Sequence, residues 1–339
     1  MKASAPGSLM LLGEHAVLHG RRALVCAIDQ RISVQVVKHK EPTLRVLSDL
    51  GTYESSLDRI DDHPDFRFVL DTVRQYPLEQ GIELKIESEF SSDIGFGSSA
   101  AVTVATHAAL MRLRGHLRGQ SYDLMLKGKK HQIIGLTPQV DPFKMSLFQR
   151  SLATIHRVQG RGSGADVAAS VFGGVVAYRA DPLEIHPIAE SFPLTAVYSG
   201  SKMKTADVIR LVEERRALNP EYFEKIFDRM DASVGEVIET AKVEHDLRAR
   251  PERARSSRST SFLFCLGCQM ILNQKLMEEM GLCNAALAEI ISILRTLEVP
   301  AKISGSGLGD CAIGLAEVPM VGNFSTYNLN VTKTGMQLC

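Results

Sequence analysis

The run DIGFGSSAAVTVATHAALMRLRG, which begins at Asp93, constrains the fold more than any other part of this 339-residue chain. From Ser98 to Leu113 it consists mostly of alanine, serine, threonine and aliphatic residues, with no polar stripe at helical spacing. A helix that is apolar on every side is stable only when other elements pack around it. Gly115 is the expected stop. Just ahead of the helix, Gly95 and Gly97 tolerate positive φ and let the backbone approach a ligand closely, and Ser98 and Ser99 are expected to cap it. A helix N-terminus carries roughly half a positive charge and unpaired N–H donors, so the segment suits a polyphosphate. A tight turn into a buried helix accounts for the same residues equally well. The spacing and lysine of a Walker A loop are missing, and the third glycine of a dinucleotide-binding loop is replaced by Ala100.

The elements around this helix are mixed. ALVCAI, ISVQVVK and IELKIES are alternating or β-branched and predict strands in the first ninety residues. Between 118 and 150 Gly, Pro and charge mix without a period, which predicts a loop, with a helix re-forming over 147–158. GRGSGADVAASVFGGVVAYRA predicts a glycine-rich loop, a short helix and a strand. A composition shift at DPLEIHP marks the end of the first domain. Beyond it come a strand (LTAVYSG), a helix over TADVIRLVEERRAL and another over 222–243. Further helices follow in LGCQMILNQKLMEEM and NAALAEIISILRTL, with a last strand in YNLNVTK. Without a regular βα repeat, the pattern predicts an α+β fold in two layers rather than a doubly wound sheet, in two domains, 1–182 and 183–339.

The formal net charge is zero, with 45% hydrophobic and 23% charged residues, so no global field draws the chain to nucleic acid or an anionic membrane. No signal sequence or apolar stretch of about 18 residues is present, and a cytoplasmic location is expected. Six cysteines are too sparse for a disulfide framework, and Cys265 and Cys268, in an apolar context, are expected to be buried thiols. Five arginines between Arg248 and Arg258 are expected to form a solvated loop rather than a phosphate site. His15 and His19 form H-x-x-x-H, but no third metal ligand accompanies them.

Three glycine-rich segments occur in order: GEHAVLHG, GFGSSAA and KISGSGLGDC. Together they resemble the three signature motifs of the GHMP small-molecule kinases, and PGSLMLLGEHAVLHG most resembles the first motif of the mevalonate kinases. The resemblance runs from Pro6 to Gly335 and is weakest between 118 and 150. It implies a two-domain α+β fold, an N-terminal ribosomal-S5-like domain and a C-terminal ferredoxin-like α/β sandwich, with the active site in the cleft between them. It further implies ATP and Mg²⁺ as cofactors, mevalonate as the small-molecule substrate and its primary hydroxyl as the acceptor. By the same resemblance Gly95, Gly97, Ser98, Ser99 and Ala100 would wrap the ATP phosphates, with Ser99 a Mg²⁺ ligand. Asp166, in SGADVAAS, would be the catalytic aspartate. Glu14, His15 and Thr205 would lie by the substrate, and Gly305, Ser306 and Gly307 would shape the cleft. No nucleic-acid or membrane partner is implied, and a homodimer is compatible with the family.

Two positions depart from the mevalonate kinase pattern. Ser8 stands where a lysine is usual, and Ile155 stands where animal-type enzymes carry a Mg²⁺-binding glutamate. The missing positive charge is expected from Lys202 or Lys204, close to Thr205. IHRVQGRGSGADVAASVFGG also resembles phosphomevalonate kinases, for which Arg157, Arg161 and these lysines would receive the substrate phosphate. A weakly active homologue acting as a sensor is the reading from a different class, favoured by Ser8 and the irregular 118–150 stretch.

Overall fold

The computed structural model describes residues 1–114, 141–188, 191–248 and 258–339. The expected Gly115 stop, the stretch 115–140 and most of the arginine-rich segment lie outside the described residues.

The chain opens with β1 (Lys2–Leu12) and a 3-10 turn (Ala16–His19), then β2 (Ala23–His39), β3 (Thr43–Ser48), β4 (Gly51–Ser56), α1 (Arg67–Arg74) and β5 (Gly81–Ser88). The all-apolar run forms α2 (Ser98–Leu113), followed by α3 (Pro142–Gln159), α4 (Ala165–Phe172), β6 (Val175–Arg179) and β7 (Glu184–Ile188). These strands build one eight-stranded sheet, closed at its edge by β12 (Gln337–Leu338) from the C-terminus. β2 reads in sequence as two strands but is continuous: β1 pairs along one side of it, while β6 and then β5 share the other. All pairings in the sheet are antiparallel except β3 with β5.

α2 packs on β1 and β2 and is flanked by α1, α3 and α4. It buries Ala100, Ala101, Val104, Ala105, Ala108 and Ala109 almost completely, as an all-apolar helix must. Its polar residues are satisfied inside the layer. Thr103 and Thr106 donate to carbonyls four residues back, and buried His107 bonds the Tyr76 hydroxyl at 2.8 Å and Thr154 at 3.0 Å. Burial depresses His107 to about 3, so it stays neutral. α3 begins five residues ahead of the expected 147, because Asp141 accepts a hydrogen bond from Phe143 N and Pro142 occupies the first helical position.

The second half supplies a four-stranded antiparallel sheet in the order β11 (Ser325–Asn330), β8 (Pro193–Tyr198), β10 (Cys311–Gly314), β9 (Ala301–Ser304). Four helices accompany it: α5 (Thr205–Leu218), α6 (Pro220–Arg248), α7 (Arg258–Glu279) and α8 (Ala285–Thr296). α7 and α8 pack on β9, and α6 packs on α7. DPLEIHP contributes β7 to the first sheet rather than ending it, so that sheet runs past residue 182. All six cysteines are free; Cys268 is exposed and Cys265 half-buried, contrary to the expected burial, because α7 turns that face away from its sheet. No described helix is long and apolar enough to cross a membrane.

Candidate active site

The site forms where β1 runs under the start of α2. Pro6, in a strand otherwise built for a ladder, sits at a register shift between Pro6 and Ser8, where a missing N–H is tolerated. The irregularity lets another backbone in: Ser8 N donates to Phe96 O at 3.0 Å, and a Cβ on Gly7 would lie 2.7 Å from that oxygen. Gly97 meets β1 from the other side. It has φ +67, and a Cβ there would lie 2.1 Å from Ser8 Oγ, so no side chain fits. The glycines of P-G-S and G-F-G are thus explained by one contact between two backbones.

Gly97 is itself the N-cap of α2 and provides no side-chain cap; Ser98 and Ser99, expected to cap, lie one and two positions inside the helix. Both residues are half-buried, and neither side chain forms a hydrogen bond among the described residues. The first helical bond of the segment is Ala101 N to Gly97 O, at 3.1 Å. The N–H groups of Ser98, Ser99 and Ala100 therefore stand at an open helix start, where the macrodipole favours an anion.

α4 faces the same place. Gly164 (φ +88) caps it under the Tyr178 hydroxyl, which donates to Ser163 O at 2.5 Å. Asp166 and Ser170, four residues apart, share the helix face toward β1. Ser170 Oγ donates to Pro6 O at 2.9 Å, and Asp166 Oδ1 accepts from Ser8 Oγ at 2.9 Å. Burial pushes the Asp166 carboxyl above the ordinary carboxylate range, and the Ser8 hydroxyl pulls it partly back. Asp166, Ser8 and Gly97 are so brought into one cluster. Ile155, where a glutamate is usual in the resembled enzymes, is 6% exposed and packs toward Gly162.

The first motif turns sharply after β1. Glu14 is 2% exposed. Lys302 of β9, fully buried, donates to Oε1 and to its neighbour's carbonyl, while Asn273 of α7 donates to Oε2 at 2.9 Å and accepts from Gly13 N at 3.2 Å. Burial lowers the Lys302 ammonium from its usual value, and Glu14 opposes that fall. Both Glu14 oxygens are engaged within the protein. His15, at φ 59, is 5% exposed; its Nε2 bonds Ser306 O at 2.8 Å, and its Nδ1 has no partner. Burial holds His15 below its ordinary value, with the Ser306 carbonyl acting against it. Ser306 Oγ is buried and without a partner as well.

The third motif forms the turn from β9 to β10. Gly305 has φ +92 with open space where a Cβ would stand, whereas Gly307 is pressed against the Leu282 carbonyl. Thr205 lies at the exposed start of α5, with Lys204 as its N-cap residue. Lys202 points to Ser92 O at 3.2 Å and to Asp310 at 3.8 Å. His19 stacks on Phe227 and pairs with Glu213, and no cluster of metal-ligating side chains exists among the described residues. Lys302, Asn273 and Asp310 were not singled out in the sequence. Lys302 and Asp310 lie within the segment KISGSGLGDC, whose glycines and Ser306 alone drew notice; Asn273, inside an apolar helix, carries no local signal.

Comparison with known proteins sharpens this arrangement. Residues 66–135 match the model of the GHMP kinases N-terminal domain. The mevalonate kinase of Archaeoglobus fulgidus is 33% identical over 318 residues, covering 93% of this chain and 92% of its own. The chain belongs to the GHMP kinase family. Its fold agrees: the Methanococcus jannaschii mevalonate kinase superposes with a TM-score of 0.71 at 19% identity, over 98% of both chains. The L. major mevalonate kinase solved in complex with R-mevalonate superposes with a TM-score of 0.69 at 20% identity, over 99% of this chain and 97% of its own. The two sheets and eight helices formed by the described residues of this GHMP kinase are thus the two-layered α+β frame of that family.

Proposed function

We propose that this GHMP kinase transfers the γ-phosphoryl group of ATP to the primary hydroxyl of mevalonate, giving 5-phosphomevalonate. The observation that carries the reading is the Asp166 carboxylate, held by Ser8 beside the open N-terminus of α2. The relative from Archaeoglobus fulgidus, named a mevalonate kinase, supports the choice of acceptor.

The residues fit a Mg²⁺–triphosphate. The N–H groups of Ser98, Ser99 and Ala100 would bind phosphate oxygens, Gly95 and Gly97 would let the backbone close on them, and the Ser99 hydroxyl would be the protein's Mg²⁺ ligand. When bound, Mg²⁺ neutralises the charge that develops on the transferring phosphoryl group. Phosphoryl transfer asks the protein chiefly to position groups and stabilise charge. Asp166 accepts or orients the proton of the acceptor hydroxyl, and its raised pKa suits that task. Ser8 orients Asp166 by a neutral hydrogen bond where related enzymes are expected to use a lysine charge. His15, with Ser306 and the open Gly305 turn, lines the acceptor side; Thr205 borders it. Glu14, expected at the acceptor, instead joins the first motif to β9 and α7 through Lys302 and Asn273. The nucleotide elements belong to residues 1–182 and the third motif to residues 183–339.

The phosphomevalonate alternative is less well supported, because Arg157 is engaged by Asp71 at 2.8 Å rather than free for a substrate phosphate. A coupled ADP-release assay over mevalonate, phosphomevalonate, homoserine and galactose tests the proposal. Turnover with mevalonate above the others is expected, and nucleotide binding without turnover of any would overturn it in favour of a sensor. Asp166→Asn is expected to lower kcat by about 10²–10⁴-fold; full activity in that variant would remove Asp166 from the mechanism.

A further inference from the structure

A second carboxylate lies beside the phosphate loop. Asp310, at φ +58 and 7% exposed, occupies the end of the third glycine motif. Its N–H donates to Ser201 O at 2.8 Å and its carbonyl accepts from Ser199 N at 2.9 Å, so its backbone is clamped to the segment following β8. The side chain is thereby set against Gly95. A Cβ on Gly95 would lie 3.0 Å from Asp310 Cβ and 3.2 Å from Oδ1. That Oδ1 is buried and accepts no hydrogen bond.

Lys202 is the cation paired with it, Nζ standing 3.8 Å from Oδ1 while donating to Ser92 O at 3.2 Å. The adjacent Cys311 thiol donates to Ile94 O at 3.0 Å, so residues 92–95 are tied to the C-terminal sheet at both ends. Asp93, Tyr198 and Tyr327 are further titratable groups in this neighbourhood.

An uncompensated carboxylate at this place opposes the loop's task, since like charges in a partly dry site repel far more than in water. We propose that Lys202 is the counter-ion that cancels Asp310 beside the phosphate loop. It is a positioning residue that makes the loop receptive to a triphosphate by neutralising its neighbour, not by touching the phosphates. Asp310 in turn holds Lys202 over Ser92 and links the loop to the third motif. The proposal rests on reading this loop as the ATP site.

Calorimetric binding of a non-hydrolysable ATP analogue with Mg²⁺ tests it in four proteins: unsubstituted, Lys202→Met, Asp310→Asn and the double variant. Lys202 is 39% exposed, so its replacement leaves the fold in place, which a thermal melt checks. Lys202→Met is expected to weaken binding by on the order of tenfold, as an uncompensated charge near the ligand does. Asp310→Asn alone is expected to change it by less than about threefold, and the double variant to return within about threefold of the unsubstituted protein, the non-additivity of a coupled pair. A role for Lys202 in direct phosphate contact, or in structure alone, predicts the same loss whether or not Asp310 is charged; that result overturns the proposal. Absence of nucleotide binding by the unsubstituted protein overturns the ATP reading, and this proposal with it.

Discussion

Replacing Lys302 by methionine probes how the first and third motifs are joined. The ammonium is 0% exposed and the Glu14 carboxylate 2%, so the substitution leaves a buried charge with Asn273 as its remaining side-chain donor. Removing one partner of a buried ion pair costs about 3–5 kcal/mol, because the surviving charge keeps its full desolvation penalty. Methionine is close to lysine in length, which keeps the added cavity cost small. Against a typical total of about 5–15 kcal/mol, such a loss is a large fraction of stability. At roughly 2–4 °C per kcal/mol for large domains it lowers Tm by about 6–20 °C. Urea unfolding followed by circular dichroism, together with a calorimetric melt, measures both quantities. The paired variant Lys302→Met/Glu14→Gln removes the orphaned charge as well, and is expected to recover most of the loss, since a buried pair is often nearly neutral against uncharged residues. A single-variant cost below about 1 kcal/mol, or a double variant that loses the sum of the two singles, would refute the argument that the ion pair is a dry and mutually dependent unit.

Two more perturbations bear on the chemistry. Ser8→Ala removes the hydrogen bond that lowers the Asp166 pKa, so that pKa rises further from a value burial has already raised. The proposed base is active when deprotonated, so the acid limb of the kcat profile is expected to move to higher pH, with activity at high pH largely retained; an unmoved limb in a pH–rate titration would separate Ser8 from Asp166. Gly97→Ala puts a Cβ 2.1 Å from Ser8 Oγ at φ +67. Left-handed backbone alone costs an alanine about 1–2 kcal/mol. Nucleotide binding is expected to fall sharply, and unchanged affinity by calorimetry would show that β1 and the loop do not touch as described.

Much of the fold was legible from local pattern. The apolar run after Gly97 became α2, and TADVIRLVEERRAL became α5, because an uninterrupted helical composition needs no distant information to be recognised. Where the reading slipped, a distant partner decided. DPLEIHP is β7 because β6 offers it an edge, and ALVCAI continues into ISVQVVK because β1 pairs with both. Capping serines were expected at Ser98 and Ser99, yet the crowding of Gly97 against Ser8 makes the glycine itself the cap. The Cys268 thiol is exposed because α7 packs by its other face, which composition does not disclose.

The candidate site divides along the same line. By itself the sequence determined the parts: three glycine segments, a carboxylate in SGADVAAS, and a serine and an isoleucine where a lysine and a glutamate are usual. These follow from residue types, because glycine, serine and aspartate carry their chemistry wherever they stand. Tertiary structure alone decided their partners. Ser8 meets Asp166 across 158 positions, Lys302 meets Glu14 across 288, and Lys202 faces Asp310 across the turn after β9. Whether a carboxylate acts as a base, an anchor or a liability depends on what lies within a few ångströms and how dry that place is. Proximity and dryness arise only when the sheets and helices close around the residues.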